Sequence, residues 1–123
     1  MIAARTINGI VVSDARGHIE WVNPSFERLT GYALDEIKGI SPGSFLQGPE
    51  TDPATVRYMK ERIQQGLEFQ SEIVNYTKSG RKYWVSIEAQ PLLDPDGNPE
   101  GFMAIETDIT VRKESELCSR LAY

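Results

Sequence analysis

The order of apolar and polar positions along this chain predicts two β-hairpins separated by a helical crossover. Ile10, Val11 and Val12 are consecutive and β-branched, the composition of a buried strand. Asp14, Ala15, Arg16 and Gly17 form a turn, and Ile19, Trp21 and Val22 return as a second strand. Asn23 then caps a short helix with Pro24 at its first position and Phe26 and Leu29 facing inward. Gly31 and Tyr32 stop it. Leu34 and Ile37, spaced i, i+3, mark a second helical turn within residues 33–38.

Residues 39–62 organise the rest of the chain. Pro42, Gly43, Gly48 and Pro49 rule out a long helix through the first half. Asp52 and Pro53 then start one, Val56, Met59 and Ile63 line a single face of it, and Gly66 closes it. Beyond the crossover the period drops to two. Residues 69–77, 82–93 and 101–110 read as strands, joined by turns at Lys78–Arg81 and at residues 94–98. Tyr83, Val85, Ile87 and Ala89 share one face of the middle strand. Residues 111–123 read as an exit helix with Leu117 and Leu121 on one stripe. The expected fold class is α+β: a five-stranded antiparallel sheet with short helices on one face and a C-terminal exit helix.

Composition narrows the possibilities. A chain of 123 residues with 40% apolar content makes one domain with a core. A net charge of −5 argues against a nucleic-acid grip or an anionic membrane surface as partner. No apolar run reaches membrane-spanning length, and the N-terminus lacks a basic-then-apolar leader pattern. The single cysteine, Cys118, allows no internal disulfide, so the expected compartment is the cytoplasm. No catalytic constellation or metal spacing surrounds the one histidine, His18, or Cys118, and the expectation is a non-enzyme.

Eight short motifs in order resemble the PAS sensory domain. They are Asn23 to Phe26, Leu29-Thr30-Gly31-Tyr32, Glu36-Ile37-Lys38-Gly39, Phe45-Leu46-Gln47-Gly48-Pro49, Thr51-Asp52-Pro53, Asn75-Tyr76-Thr77-Lys78, Tyr83-Trp84 and Asp108-Ile109-Thr110. The resemblance implies a lead-in over residues 1–6, a PAS domain over 7–112 and the start of a linker helix over 113–123. It also implies a larger parent chain whose output domain is a histidine kinase or a cyclic-dinucleotide enzyme. The exit helix is too short to be stable alone in water, so it either docks on the sheet or pairs with a second copy, and a homodimer is the expectation.

The wording of FLQGP and NYTK is closest to the flavin-binding LOV branch, whose photochemistry adds a cysteine thiol to the flavin ring. The thiol position falls at Gly43, within one residue, and no cysteine occurs in residues 39–45, so the expectation is that no cysteinyl adduct forms. The resemblance assigns two asparagines and a glutamine to the flavin's polar edge. Asn75 matches the first, Val85 stands at the second and Glu106 at the glutamine; Ser44 and Lys60 stand at the phosphate-binding arginines. The expected pocket residues are Asn75, Glu106, Val85, Met59 and Phe45, with no resident cofactor. Flavin is the ligand the resemblance would supply, and a flavin adenine dinucleotide redox sensor or flavin oxidoreductase is the alternative. A haem would need His18 or Met59, which read as a surface residue and core filling.

Two of these residues leave alternatives open. Asn75 either binds a ligand edge or bonds helix backbone. Glu106 either pairs with Arg57 or Lys60, accepts from a ligand, or sits at a sheet edge in water, and pairing and the edge together outweigh the ligand. Asp108, Thr110 and Arg112 match the family's signal junction, and a carboxylate and hydroxyl at a strand end can cap the next helix.

Overall fold

The computed structural model describes residues 8–121, and for residues 119–121 the backbone. The lead-in expected over 1–6 and the side chain of Leu121 lie outside the described residues. The hairpin β1 (Gly9–Asp14) and β2 (Ile19–Val22) leads into α1 (Pro24–Thr30), α2 (Leu34–Ile37), α3 (Gly43–Leu46) and α4 (Pro53–Gln64). Strands β3 (Phe69–Tyr76), β4 (Lys82–Leu93) and β5 (Pro99–Asp108) come next, then α5 (Thr110–Leu121). The five strands form one antiparallel sheet in the order β2-β1-β5-β4-β3. The expected fold class is the one observed.

Asn23 joins the first hairpin to the helices. Its Oδ1 accepts from the backbone N–H of Ile10 on β1 at 2.8 Å and of Phe26 in α1 at 3.0 Å, so one side chain ties a strand and caps a helix. Gly31 ends α1 at φ 81°, a left-handed conformation that a Cβ disfavours. The next residues are then anchored across the molecule: the Lys78 N–H donates to the Thr30 carbonyl, and the Lys78 ammonium pairs with Glu36.

Two differences from the sequence reading have local causes. A single turn, α3, forms within the aperiodic stretch, closed by Ser44 N–H to the Ser41 carbonyl and Leu46 N–H to the Pro42 carbonyl. Thr110 begins α5 rather than ending β5, because Asp108 captures its N–H and hydroxyl and bends the chain out of the sheet.

The core lies between the sheet's inner face and the helices, in two clusters. Val11, Ile19, Val22, Phe26, Ile37 and Leu46 form one. Phe69, Ile73, Tyr83, Val85, Ile87 and Ala89 form the other, with Val56, Met59 and Ile63 of α4 laid against it as the spacing predicts. Ala104 of β5 touches both. Near the start of β5, a Cβ on Gly101 would stand 2.4 Å from the Ser13 carbonyl oxygen of β1, a backbone atom. Gly101→Ala must therefore part β1 from β5, and it is expected to cost about 2 kcal/mol or more in urea unfolding. An unchanged unfolding midpoint would show that the strands do not approach there as described.

Candidate functional site

The inner face of the sheet carries three polar residues inside the second cluster's wall. Asn75 on β3 lies directly opposite Tyr83 on β4, and Ile73 lies opposite Val85. Glu106 on β5 lies between Gly9 on β1 and Ile87 on β4. Ile87 stands four residues from Tyr83, roughly 13 Å along the strand, so Glu106 lies at a different level of the same inner face from the Asn75–Tyr83 pair. All are out of water: Tyr83 is 0% exposed, Glu106 3% and Asn75 4%.

Two polar atoms on this face are orphaned. Tyr83 Oη and Glu106 Oε1 are buried without a hydrogen-bond partner among the described residues. Burial pushes the Glu106 carboxyl up to about 7, because the ionised form loses water and gains nothing in return. Burial also raises the Tyr83 phenol well above its ordinary value, and the neighbouring Glu106 pushes the same way. The Asn75 amide lies close enough to draw it back somewhat, without closing a hydrogen bond of proper geometry.

This placement corrects the reading of Glu106. Strand β5 is central, so there is no edge in water, and none of the ion pairs among the described residues joins Glu106 to Arg57 or Lys60. Of the other expected pocket residues, Val85 is 0% exposed and Met59 packs against the cluster that contains it. Phe45 is set apart, against the first cluster and edge-on to Tyr32 at 4.8 Å between centroids. Tyr83 as a polar member of the inner face was missed by the sequence reading, which counted it as apolar wall. The turn read at Lys78–Arg81 is centred between residues 79 and 80 and would pair Asn75 with Trp84, whereas the observed register is centred on Ser79 and pairs Asn75 with Tyr83.

Around Gly43 the chain holds other groups. The Gln47 amide nitrogen lies 2.8 Å from where a Cβ on Gly43 would stand. The Ser44 hydroxyl donates to the Ser41 carbonyl at 2.7 Å. Two surface clefts lie elsewhere, one of about 450 Å³ beside Tyr58 and Glu72 and one of about 400 Å³ lined by Arg28, Lys78 and Arg81.

The residues expected at a signal junction come together where β5 passes into α5. Asp108 Oδ1 accepts from the Thr110 N–H at 2.9 Å and from its hydroxyl at 2.6 Å. The Thr110 hydroxyl oxygen in turn accepts the Trp84 N–H at 2.9 Å, and the Ile109 N–H donates to the Trp84 carbonyl at 3.0 Å. One turn on, Arg112 and Lys113 both pair with Glu72 of β3, and Lys113 Nζ sits 4.7 Å from the centre of the Trp84 ring. The Arg112 and Lys113 cations hold the Glu72 carboxyl below the usual carboxylate range. The start of α5 is thus fastened to β3 and β4 opposite the buried patch.

A family model described as a PAS domain matches residues 7–111. Phototropin-1A of Oryza sativa subsp. japonica is 38% identical over 109 residues, covering 86% of this chain and 12% of that protein. A blue-light-activated histidine kinase of Brucella canis is 38% identical over 93 residues, covering 76% of this chain and 19% of that protein. This chain therefore spans less than a fifth of the length of these curated relatives. Among solved structures, the light state of the blue-light photoreceptor Aureochrome1 LOV superposes with a TM-score of 0.81 at 28% identity, over 94% of this chain and 91% of that one. The LOV domain of a blue-light activated histidine kinase from Erythrobacter litoralis gives 0.77 at 28% identity, over 83% and 95%.

The burial of Glu106 bears on the pH dependence of stability. It pushes the carboxyl up to about 7 in the folded chain from an ordinary value of 4.5. Well below pH 4.5 it is neutral in both states and adds no pH dependence. As pH rises from 4.5 to 7 the unfolded chain ionises while the folded one keeps its proton, so stability falls, then levels off. The loss is on the order of 3 kcal/mol. Glu106→Gln is expected to remove this component, leaving the variant more stable than the parent at pH 8 and about equal at pH 4 in urea unfolding. Parallel stability curves for the two proteins would contradict it.

Proposed function

Because the chain belongs to the PAS domain family, we propose that it senses or relays a signal inside a larger signal-transduction protein, handing it to an output domain through α5, and that it forms no cysteinyl–flavin adduct. The domain is a sensory module and is not itself catalytic. The observation that carries the relay reading is the fastening of Ile109 and Thr110 to the Trp84 backbone, with Asp108 holding Thr110, which makes the first turn of α5 an extension of the sheet's hydrogen bonding. Relatives named as blue-light-activated histidine kinases support a kinase as the output, in chains about five times longer than the matched region.

The reading without an adduct is supported by chemistry close to the sheet. Residues 39–45 contain no cysteine, and Cys118 lies on α5. The side chains present do not fit a flavin mononucleotide held in the manner the resemblance implies. Asn75 keeps its amide, Val85 offers only methyl groups to the inner face, and the Ser44 hydroxyl is engaged in its own turn. An ionised Glu106 would repel the carbonyl edge that a glutamine amide can serve. We therefore read Asn75, Glu106, Val85, Met59 and Phe45 as inner wall in a domain without a resident cofactor. The same reading takes residues 7–112 as the domain and 113–123 as the start of a linker, in a cytoplasmic parent protein.

Assembly is part of the proposal. The α5 helix is held at its first turns, while Val111 is 81% exposed and Leu117 47% exposed. A helix of 12 residues gains little stability alone in water, so its free apolar positions favour pairing with a second copy.

Native mass spectrometry of freshly purified protein is expected to show the bare polypeptide. With flavin added, blue light is expected to leave its visible absorption band unchanged. A bleached band that recovers in the dark and depends on a protein thiol would defeat the reading. Sedimentation equilibrium is expected to show a monomer–dimer equilibrium that Leu117→Asp weakens about tenfold or more. Monomer alone across the full concentration range would remove the homodimer.

A further inference from the structure

The cleft of about 400 Å³ between the end of α1 and the β3–β4 turn collects charge of one sign. Its lining holds three of the chain's 13 basic side chains, Arg28, Lys78 and Arg81, and none of its 18 acidic ones. In a chain of net charge −5 it is a local positive site against a negative background.

We propose that this cleft is a docking site for an acidic protein segment that presents two neighbouring carboxylates, one to Arg28 and one to Arg81. The site involves no residue of α5 and does not depend on that helix being the output.

The three cations are not equally available. The Lys78 ammonium is already paired with Glu36. Neither guanidinium makes an ion pair among the described residues. Arg28 is held in place by its own helix: its Nη2 donates to the hydroxyl of buried Ser25 at 3.1 Å, which leaves the other donors of the fork for a partner. Arg81 stands on a turn closed by Thr77. The Arg81 N–H donates to the Thr77 hydroxyl at 3.1 Å, and the Thr77 N–H donates to the Arg81 carbonyl at 2.9 Å. The two walls of the cleft are also bonded to each other, since the Lys78 N–H donates to the Thr30 carbonyl at 2.8 Å. That bond has a second effect. Carbonyl oxygens at a helix end repel an anion, and here the Thr30 carbonyl is covered by Lys78 and the Glu27 carbonyl by the Gly31 N–H. The backbone around the cleft is therefore set before anything binds, and little ordering is left to oppose binding.

The shape of the site selects the class of occupant. Arg28, Gly31, Lys78, Ser79 and Arg81 are all exposed, so a small molecule among them would keep much of its surface in water, unlike ligands in enclosed sites. A nucleic acid or an anionic bilayer would meet the negative remainder of the chain beyond the cleft. A protein segment needs only the local charge. Each guanidinium fork can take a carboxylate through two parallel N–H···O bonds, a geometry that an ammonium does not offer. Half-buried Leu29 lines the same cleft and gives the segment's methylene groups an apolar contact.

The test is nuclear magnetic resonance of the isotopically labelled chain, titrated with a short capped peptide carrying a central pair of glutamates and with the same peptide carrying glutamines there. The glutamate peptide is expected to shift the amide signals of Gly31, Ser79 and Arg81, and the glutamine peptide to leave them in place. Arg28→Glu and Arg81→Glu are each expected to weaken binding about threefold or more, and Arg81→Lys to weaken it less, because the charge is kept while the fork is lost. Both arginines are exposed, and Arg81 closes its turn through backbone atoms, so these variants are expected to fold, with unchanged amide signals elsewhere as the check. Salt at about 0.5 M is expected to weaken binding as well. The proposal is overturned if the glutamate peptide shifts nothing at the cleft, if the glutamine peptide shifts the same signals, or if the shifts centre on the exposed Arg57 and Lys60 of α4 instead. Binding that survives both charge reversals, or that high salt leaves unchanged, overturns it too. Inorganic phosphate shifting the same amides as strongly as the peptide would make the cleft a site for any small anion, and would also overturn it.

Discussion

Strand β5 is hydrogen-bonded on both sides, and the rest of the domain is fitted around that constraint. A strand paired with β1 and β4 offers no edge to water, and the pleat sends every second side chain into the core. Phe102, Ala104 and Glu106 are therefore carried inward by parity, whatever their chemistry. Ala104 is small where the two apolar clusters meet. Glu106 has no comparable accommodation, and the cost of keeping its charge out of water is expressed as a retained proton.

The two faces of the sheet share the same strands. Asn75 and Tyr83 face the helices, while Glu72 and Trp84, on the same two strands, hold the first turns of α5. The outer ion pairs are partly exposed, and pairs of that kind contribute little individually. Direction comes from the bonds of the Trp84 backbone to the Ile109 N–H and the Thr110 hydroxyl, which fix where the helix starts. A displacement of β4 or β5 is thus felt on the inner wall and at the base of α5 together.

Most of the architecture was legible in the sequence because it rests on local rules. Strand alternation, the caps at Asn23 and Asp52 and the turn glycines are each decided within a few residues. The fate of Glu106 was not legible in that way. Its parity was, but its burial depends on β1, some hundred residues earlier, inserting beside β5 rather than leaving it at an edge. Without that long-range pairing, a water-facing carboxylate or one bonded to α4 looked the easier outcome. The place of Phe45 beside the first cluster was not legible for a related reason. The single turn of α3 aims it at Tyr32, and no short-range pattern predicts that turn within a glycine- and proline-rich stretch. The pairing of Asn75 with Tyr83 turns on a half-residue shift of the hairpin centre to Ser79, which a four-residue turn at Lys78–Arg81 does not give, and treating tyrosine as simply apolar concealed its polar end.

The pairing of Gly9 with Glu106 also bears on how the chain acquires its shape. During synthesis the hairpins β1–β2 and β3–β4 emerge complete, each with local partners, while the strand that belongs between them is still to come. Until Pro99–Asp108 leaves the ribosome, the hairpins expose the inward sides of Val11 and Val22, and of Ile73 and Val85, with open edges alongside. Pairing across such sequence distances is intrinsically slow, and exposed half-sheets are prone to associate with one another. The nascent chain therefore passes through an interval of vulnerability that ends when β5 docks, and a ribosome stalling between β4 and β5 would prolong it.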